Sequence, residues 1–179
     1  AVAAMGIAQK INMVPMYIAL GFSQGIMPLI GYNYASKNTD RMKKTVTFSA
    51  KLSVIFITSM SVLYFIFAPS LTTMFIKNAD VVAYGTRFLR GLCLGLPFLC
   101  IDFLGVGVFQ SCGLGKNALA FAILRKIVLE IPALVILNKL FPLYGLAYAQ
   151  FAAEILLATA AIIVLARLFK KLEKENEKI

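Results

Sequence analysis

The fold is decided by a long apolar run at residues 83–110, AYGTRFLRGLCLGLPFLCIDFLGVGVFQ, whose second half carries one charged residue, Asp102. At a rise of 1.5 Å per residue, an α-helix of this length crosses the roughly 30 Å hydrocarbon core of a bilayer. A transmembrane strand would instead alternate apolar and polar residues over about 10 residues. This stretch therefore predicts a transmembrane helix.

Four further segments of the same kind surround this helix, near residues 3–32, 46–68, 118–140 and 143–166. Pro15 and Pro28 fall inside the first segment, where a helix in lipid tolerates them as kinks. We expect Pro69 to end the second helix and residues 71–76 to form a short interfacial helix.

The predicted fold class is all-α: a polytopic transmembrane helix bundle with about five spanning helices over residues 1–166. Residues 167–179 are rich in Lys and Glu. We predict that they form a cytoplasmic charged tail, a solvated helix end that frays into disorder.

Composition supports a lipid bilayer as the partner and argues against a soluble protein. Hydrophobic residues make up 60% of the chain and charged residues 15%, against roughly 45–50% and 25% in soluble domains. The formal net charge of +10 would suggest nucleic acid in a soluble protein, but in a membrane protein the positions of the charges matter more, and we expect no nucleic acid partner.

The residues needed for enzymatic chemistry are scarce. The chain has no His, the commonest general base and metal ligand, and it lacks a nucleophile motif and a cofactor-binding loop. We therefore predict that it is not an enzyme and holds no metal or cofactor. Cys93, Cys100 and Cys112 lie in one apolar stretch without C-x-x-C spacing, which predicts buried thiols.

The distribution of Lys and Arg predicts the orientation. If the connection between the first two helices is cytoplasmic, thirteen cations lie on that side and four on the other. This places the amino terminus outside and the carboxyl terminus in the cytoplasm of a multi-pass cell membrane protein. An outside amino terminus without a signal peptide needs a preceding helix, so we expect Ala1 to lie within a longer protein.

Asp102 is the most informative of three acids inside the predicted spans. Each such acid costs roughly 2.5–3.5 kcal/mol at mid-membrane. Steps of three or four residues place it on a stripe of mostly small residues, which predicts a face inside the bundle: Gly91, Gly95, Phe98, Gly105 and Phe109. Pro97 should free the carbonyl of Cys93 near a cavity. Alternatively, Asp102 only hydrogen-bonds a neighbouring helix.

The other two acids are Glu130 and Glu154. Lys126 precedes Glu130 by one turn, so an i,i+4 ion pair competes with a role in a cavity. Gln150 lies one turn before Glu154 on an otherwise apolar helix, and these two residues form a strip that lines a cavity or joins helices. Asp102 is thus our candidate for cation or proton coupling, with Glu130, Glu154 and Gln150 as candidate cavity-lining residues.

One motif carries a family resemblance. Residues 21–35, GFSQGIMPLIGYNYA, resemble a Q-G-x-x-P-x-x-G-x-N-Y-G signature of the multidrug and toxic compound extrusion (MATE) transporters, with Ala35 in place of the last glycine. Residues 110–113 and 144–147, and Arg125 ahead of Pro132, are similar to later family stretches.

The resemblance covers nearly the whole chain and implies helices eight to twelve of a twelve-helix antiporter with two six-helix lobes. It implies that Asp102 lies on the tenth helix, where some members place a cation-binding acid. The amino-terminal lobe and the seventh helix would then be the missing partners of this chain.

These observations favour part of an antiporter that exchanges H⁺ or Na⁺ for amphiphilic, often cationic, compounds. Two alternatives stay open. One is a non-transporting helical membrane subunit or scaffold, and the other is a lipid-linked glycan exporter of similar architecture, which would have a large cationic cavity.

The orientation can be tested by cysteine-accessibility labelling of the native protein after removal of its own thiols. A cysteine in place of Lys43 should react with a membrane-impermeant reagent from the cytoplasmic side, and one in place of Lys77 from the outside, because the charge asymmetry separates these loops. Equal labelling of both positions from the cytoplasm would refute the topology.

Overall fold

The computed structural model describes residues 2–140 and 145–176, and every regular element in these two ranges is helical. In chain order the elements are α1 (Val2–Ala35), α2 (Thr39–Phe75), α3 (Ala79–Ser111), α4 (Gly115–Ile123), a π-helical segment π1 (Leu124–Glu130), α5 (Ile131–Leu140) and α6 (Gly145–Asn176). The predicted all-α class is confirmed.

Four helices are long and apolar enough to cross a membrane: α1, α2, α3 and residues Tyr148–Lys174 of α6. The predicted span at 118–140 is built differently, from α4, π1 and α5 in succession. The predicted start of the last span, near residue 143, falls within residues 141–144, which lie outside the described residues.

Helix α3 occupies the centre of the bundle and packs against α1, α2 and α6. In the most apolar 18-residue stretch of α3, 67% of the residues are buried, whereas 22% are buried in the most apolar stretches of α1 and α2. Large apolar side chains on α2, such as Phe48, Ile55 and Leu63, are exposed at the surface of the bundle. That surface is suited to contact with lipid.

The small-residue stripe of α3, which the sequence predicted to lie inside the bundle, packs against α6 at Gly95 and Gly105. A Cβ atom added to Gly95 would lie 3.6 Å from the Cα of Phe151, and one added to Gly105 would lie 3.2 Å from the Cβ of Ala161. The two backbones approach this closely because these positions lack side chains. The approach brings Asp102 of α3 towards α6.

The prediction that Pro69 ends the second helix is wrong, because α2 continues through it to Phe75 and includes most of the predicted interfacial helix. A proline deprives the carbonyl four residues earlier of its donor. Here the Nε of Arg90 on α3 donates to the carbonyl of Phe65, at 3.2 Å. The guanidinium also lies 5.1 Å from the centre of the Phe65 ring. A neighbouring helix thus satisfies the freed carbonyl, and the helix continues.

The same arrangement occurs at Pro97, inside α3. The hydroxyl of Ser61 on α2 donates to the freed carbonyl of Cys93, at 2.6 Å. The predicted free carbonyl therefore bonds to α2 and does not open onto a cavity.

The prediction that the tail frays into disorder is wrong for residues 167–176, because α6 runs without a break to Asn176. Phe169 is buried, and Leu168 and Leu172 pack against the same apolar cluster. The Lys43 ammonium also donates to the Glu173 carboxylate, at 2.8 Å. These apolar residues provide the tertiary contacts that prolong the helix.

The bond from Ser61 to Cys93 can be tested by Ser61→Ala in the native protein. We expect the unfolding free energy to fall by about 1 kcal/mol, because the substitution leaves a buried carbonyl without a donor. Unfolding would be measured in mixed micelles with a denaturing detergent.

Ser59→Ala is the matched control, because the Ser59 hydroxyl is exposed and bonds the carbonyl of Ile55 in its own helix. If the unfolding free energy falls equally in the two variants, the bond between α2 and α3 contributes no more to stability than a bond within one helix.

Candidate functional site

Two of the predicted acids meet at one arginine inside the bundle. Nη1 of Arg125 lies 3.5 Å from Oδ2 of Asp102, and Nη2 lies 3.0 Å from Oε1 of Glu154. Asp102 belongs to α3, Arg125 to π1 and Glu154 to α6. One guanidinium thus joins three elements, and we call these three residues the ion cluster.

The ion cluster is buried. The side chains of Asp102 and Glu154 are each 2% exposed, and that of Arg125 is 15% exposed. Burial of charges at this depth is costly unless the charges are paired and hydrogen-bonded. The cluster therefore depends on its internal pairing.

That pairing is incomplete. Among the described residues, no hydrogen-bond partner is present for Oδ1 of Asp102, Oε2 of Glu154 or Nε of Arg125. Two carboxylates also share one guanidinium, so the three groups together keep one negative charge when all are ionised. The cluster has both the charge and the unused oxygens to accept a further cation or proton.

The local sequence explains where Arg125 lies. Pro132 follows π1 by two residues, and its ring and missing N–H disfavour α-helical hydrogen bonding in the preceding turn. The wider π-helical turn is a common response to such a disruption and is frequent at functional sites. The guanidinium also lies over the Phe103 ring, with Cζ 4.8 Å from the ring centre, a favourable cation–π contact.

A cavity of about 300 Å³ lies beside the cluster, between α1, α3 and the α4–π1 segment. The side chains of Asp102 and Arg125 line it together with three uncharged polar residues, Ser23, Gln24 and Gln110. The remaining lining is mostly apolar: Leu20, Met27, Phe103, Val106, Gly107, Phe121 and Ala122.

Gly107 allows α1 and α3 to cross closely at this cavity. A Cβ at this position would collide with the Ser23 hydroxyl. That hydroxyl donates to the carbonyl of Phe103, at 2.7 Å. The contact fixes one wall of the cavity next to Asp102.

The predicted site residues have different positions relative to the cavity. Asp102 lines it, whereas Glu154 contacts Arg125 and is not among the described lining residues. Glu130 is half-buried at the end of π1. Gln150 is half-buried on α6, and the described lining of the cavity does not include it. The Lys126 side chain lies outside the described part of the chain.

The sequence reasoning did not place Arg125 in the site. It counted Arg125 among the cytoplasmic cations, although this residue lies well inside the predicted span at 118–140. An arginine within an apolar segment that also contains Glu130 was the signal that could have identified it, since an intramembrane charge needs a partner.

Among the described residues, no group of three or more His, Cys, Asp or Glu side chains converges. Cys93, Cys100 and Cys112 are buried and free, as predicted.

The long apolar helices and the buried ion cluster beside a cavity define a polytopic helical membrane protein. The MatE family profile matches residues 1–136, and the chain belongs to the MATE family of membrane transporters. This membership confirms the predicted resemblance and the prediction that the chain is not an enzyme.

The relatives include multidrug export proteins. The chain is 33% identical over 173 residues to the multidrug export protein MepA of Staphylococcus haemolyticus, covering 96% of this chain and 38% of MepA. It is 32% identical over 164 residues to MepA of Staphylococcus saprophyticus, and this match covers 92% of this chain and 36% of that MepA. The chain thus spans less than two fifths of the length of these relatives.

Solved structures show the same fold. An outward-facing multidrug resistance MATE family transporter of the MOP superfamily superposes with a TM-score of 0.92 at 19% identity, covering 97% of this chain and 39% of that one. This chain thus corresponds to 39% of that transporter, which is the size expected for part of one lobe.

The ion cluster predicts unequal effects of neutralising its members. Arg125→Gln should lower the unfolding free energy by about 3–5 kcal/mol, because it leaves two buried carboxylates without their cation. Glu154→Gln should cost less than about 2 kcal/mol, because Arg125 keeps Asp102 as a partner. The double variant should be more stable than Arg125→Gln alone. Unfolding of the native protein in mixed micelles measures all three, and equal losses from both single substitutions would contradict this account.

Proposed function

We propose that this chain is the carboxyl-terminal part of a cation-coupled multidrug efflux antiporter, which exchanges H⁺ or Na⁺ for amphiphilic, often cationic, compounds. The observation that carries the proposal is the buried Asp102 carboxylate at the wall of a mostly apolar cavity, with no partner for Oδ1 in the described part of the chain. Membership of the MATE family and the similarity to proteins described as multidrug export proteins support it.

The lining of the cavity suits the proposed substrates. An amphiphilic cation presents an apolar body and one charged group, and such ligands are held by apolar walls with a few placed polar groups. Leu20, Met27 and Phe121 provide apolar walls, and Asp102 provides the negative charge. A volume of about 300 Å³ is at the lower end of the range for small-molecule sites.

Coupling follows from the limited charge of the site. An ionised Asp102 attracts a cationic substrate, whereas a proton or Na⁺ bound to the same carboxylate cancels that attraction. Entry of the ion on one side of the membrane would therefore release the substrate there. Exchange needs the site to face the two sides alternately, which transporters achieve by moving one repeated half against the other.

The proposal therefore includes the amino-terminal lobe and the seventh helix as partners of this chain. The described helices supply one wall of a transport pathway. Substrate and ion sites in such transporters lie where the two halves meet.

We further propose a cell membrane location with the amino terminus of this chain outside and the carboxyl terminus in the cytoplasm. The contact of Lys43 with Glu173 puts the basic start of α2 and the basic end of α6 at the same end of the bundle. Assigning Arg125 to the ion cluster lowers the predicted cytoplasmic count of Lys and Arg from thirteen to twelve, against four outside. The asymmetry remains large.

The alternatives receive less support. A lipid-linked glycan exporter would need a large cationic cavity, whereas the described lining here pairs its one arginine with an aspartate. A scaffold would need Asp102 only to join helices, and would not require an unpaired oxygen beside a cavity.

The test is Asp102→Asn in the native protein that contains residues 1–179, reconstituted into proteoliposomes. The amide is nearly isosteric and costs less to bury than a carboxylate, so we expect folding and insertion to persist. Ion-driven export of a cationic dye should fall to background, because an amide cannot gain and lose a charge.

Asp80→Asn is the matched control, since Asp80 lies on the same helix but is exposed in its first turn. Export by this variant should equal that of the wild type. Undiminished ion-driven export by Asp102→Asn would reduce Asp102 to a structural residue and leave Glu130 and Glu154 as the next acids to test.

A further inference from the structure

Arg125 is the one cation that lines the described cavity, and neither the family match nor the proposed coupling assigns it a role. We propose that its guanidinium is a tethered counter-cation that determines the charge of the ligand that the cavity accepts. This inference rests on the proposed function, because it concerns the same cavity and the same carboxylate.

The geometry shows which contact a ligand would replace. Arg125 is bound more closely to Glu154, at 3.0 Å, than to Asp102, at 3.5 Å, and the second distance is at the limit of a hydrogen bond. Asp102 lines the cavity, whereas Glu154 bonds the guanidinium and is not among the described lining residues. A cationic ligand would therefore displace Arg125 from Asp102 and leave it bound to Glu154.

The Arg125 guanidinium stays beside the cavity wall during such an exchange, because it also contacts Phe103. Its Cζ lies 4.8 Å from the centre of the Phe103 ring, and Phe103 also lines the cavity. An arginine stays charged at every physiological pH. The guanidinium thus contributes a permanent positive charge at the wall, whatever the protonation state of the acids.

The consequence is a fixed charge balance. With both acids ionised, Arg125 cancels one of the two negative charges of Asp102 and Glu154. Removal of the guanidinium makes the site more negative by one unit. Compared with the wild type, a cavity without Arg125 should therefore shift its preference towards ligands with a second positive charge.

The experiment measures binding of two matched ligands to the native protein in detergent: an alkyl trimethylammonium and the bis-trimethylammonium of the same chain length. The measured quantity is the ratio of their affinities, dication over monocation. In Arg125→Gln we expect this ratio to rise by about fourfold, the size expected for one unit charge at about 5 Å in a medium as polarisable as water. Arg125→Lys, which keeps the charge, should stay near the wild-type ratio.

A double variant separates charge from structure. Glu154→Gln together with Arg125→Gln removes one negative and one positive charge, so Asp102 alone faces the cavity with the wild-type balance. The ratio should then return towards the wild-type value. This variant also avoids leaving two buried carboxylates unpaired, so it keeps the test available if Arg125→Gln does not fold.

Arg90→Gln is the control for loss of an arginine as such. Arg90 also contacts a phenylalanine ring, that of Phe65, but it bonds a backbone carbonyl instead of a carboxylate. Its substitution should leave the ratio unchanged.

The outcomes separate this inference from the proposed function. An unchanged ratio in a folded Arg125→Gln protein overturns the inference, as does a double variant whose ratio exceeds that of the wild type by fourfold or more. If Asp102→Asn binds the monocation as tightly as the wild type does, the proposed role of Asp102 fails, and the inference fails with it. If Asp102→Asn binds the monocation weakly and the ratio in Arg125→Gln is unchanged, the inference about Arg125 is wrong. The proposed role of Asp102 is then kept.

Discussion

The shared guanidinium of Arg125 is the interaction on which the arrangement of α3, π1 and α6 depends. Asp102 and Glu154 are the only charged residues of the apolar stretches 91–111 and 145–166, and both side chains are almost wholly buried. A buried carboxylate needs a nearby cation, and here one cation serves both. The small residues of α3 allow α6 to approach closely enough for this sharing, so packing and electrostatics require each other.

The backbone obeys the same constraint as the side chains. In an apolar environment a carbonyl without a donor is costly, so a proline inside a spanning helix needs help from a neighbour. The hydroxyl of Ser61 and the guanidinium of Arg90 give that help to the carbonyls of Cys93 and Phe65. Both bonds join α2 to α3. Pro97 and Pro69 therefore help to hold the bundle together, because each creates a free carbonyl that a second helix must satisfy.

The ion cluster combines structural and functional demands in the same atoms. A fully satisfied cluster would hold the helices together but would have nothing left for a ligand. Among the side chains that the structure describes, atoms on all three members of this cluster have no hydrogen-bond partner, and one acid lies at the wall of the cavity. It thus retains both charge and hydrogen-bonding capacity. An incomplete set of partners is what a site needs if it exchanges one cation for another.

The sequence by itself determined the helical class, the approximate spans and the inward face of α3, and it singled out Asp102 as a candidate site residue. These follow from apolar length, from residue spacing and from the cost of an intramembrane charge, all of which are local properties. Only the tertiary structure decided that α2 continues past Pro69, that α6 extends beyond Arg167, and that Arg125 joins Asp102 to Glu154. Each of these depends on a donor, an apolar surface or a cation from another helix. Asp102 lies 23 positions before Arg125 in the chain, and Glu154 lies 29 positions after it. They meet because of how the helices pack, and residue spacing along one helix carries no information about the packing of several helices.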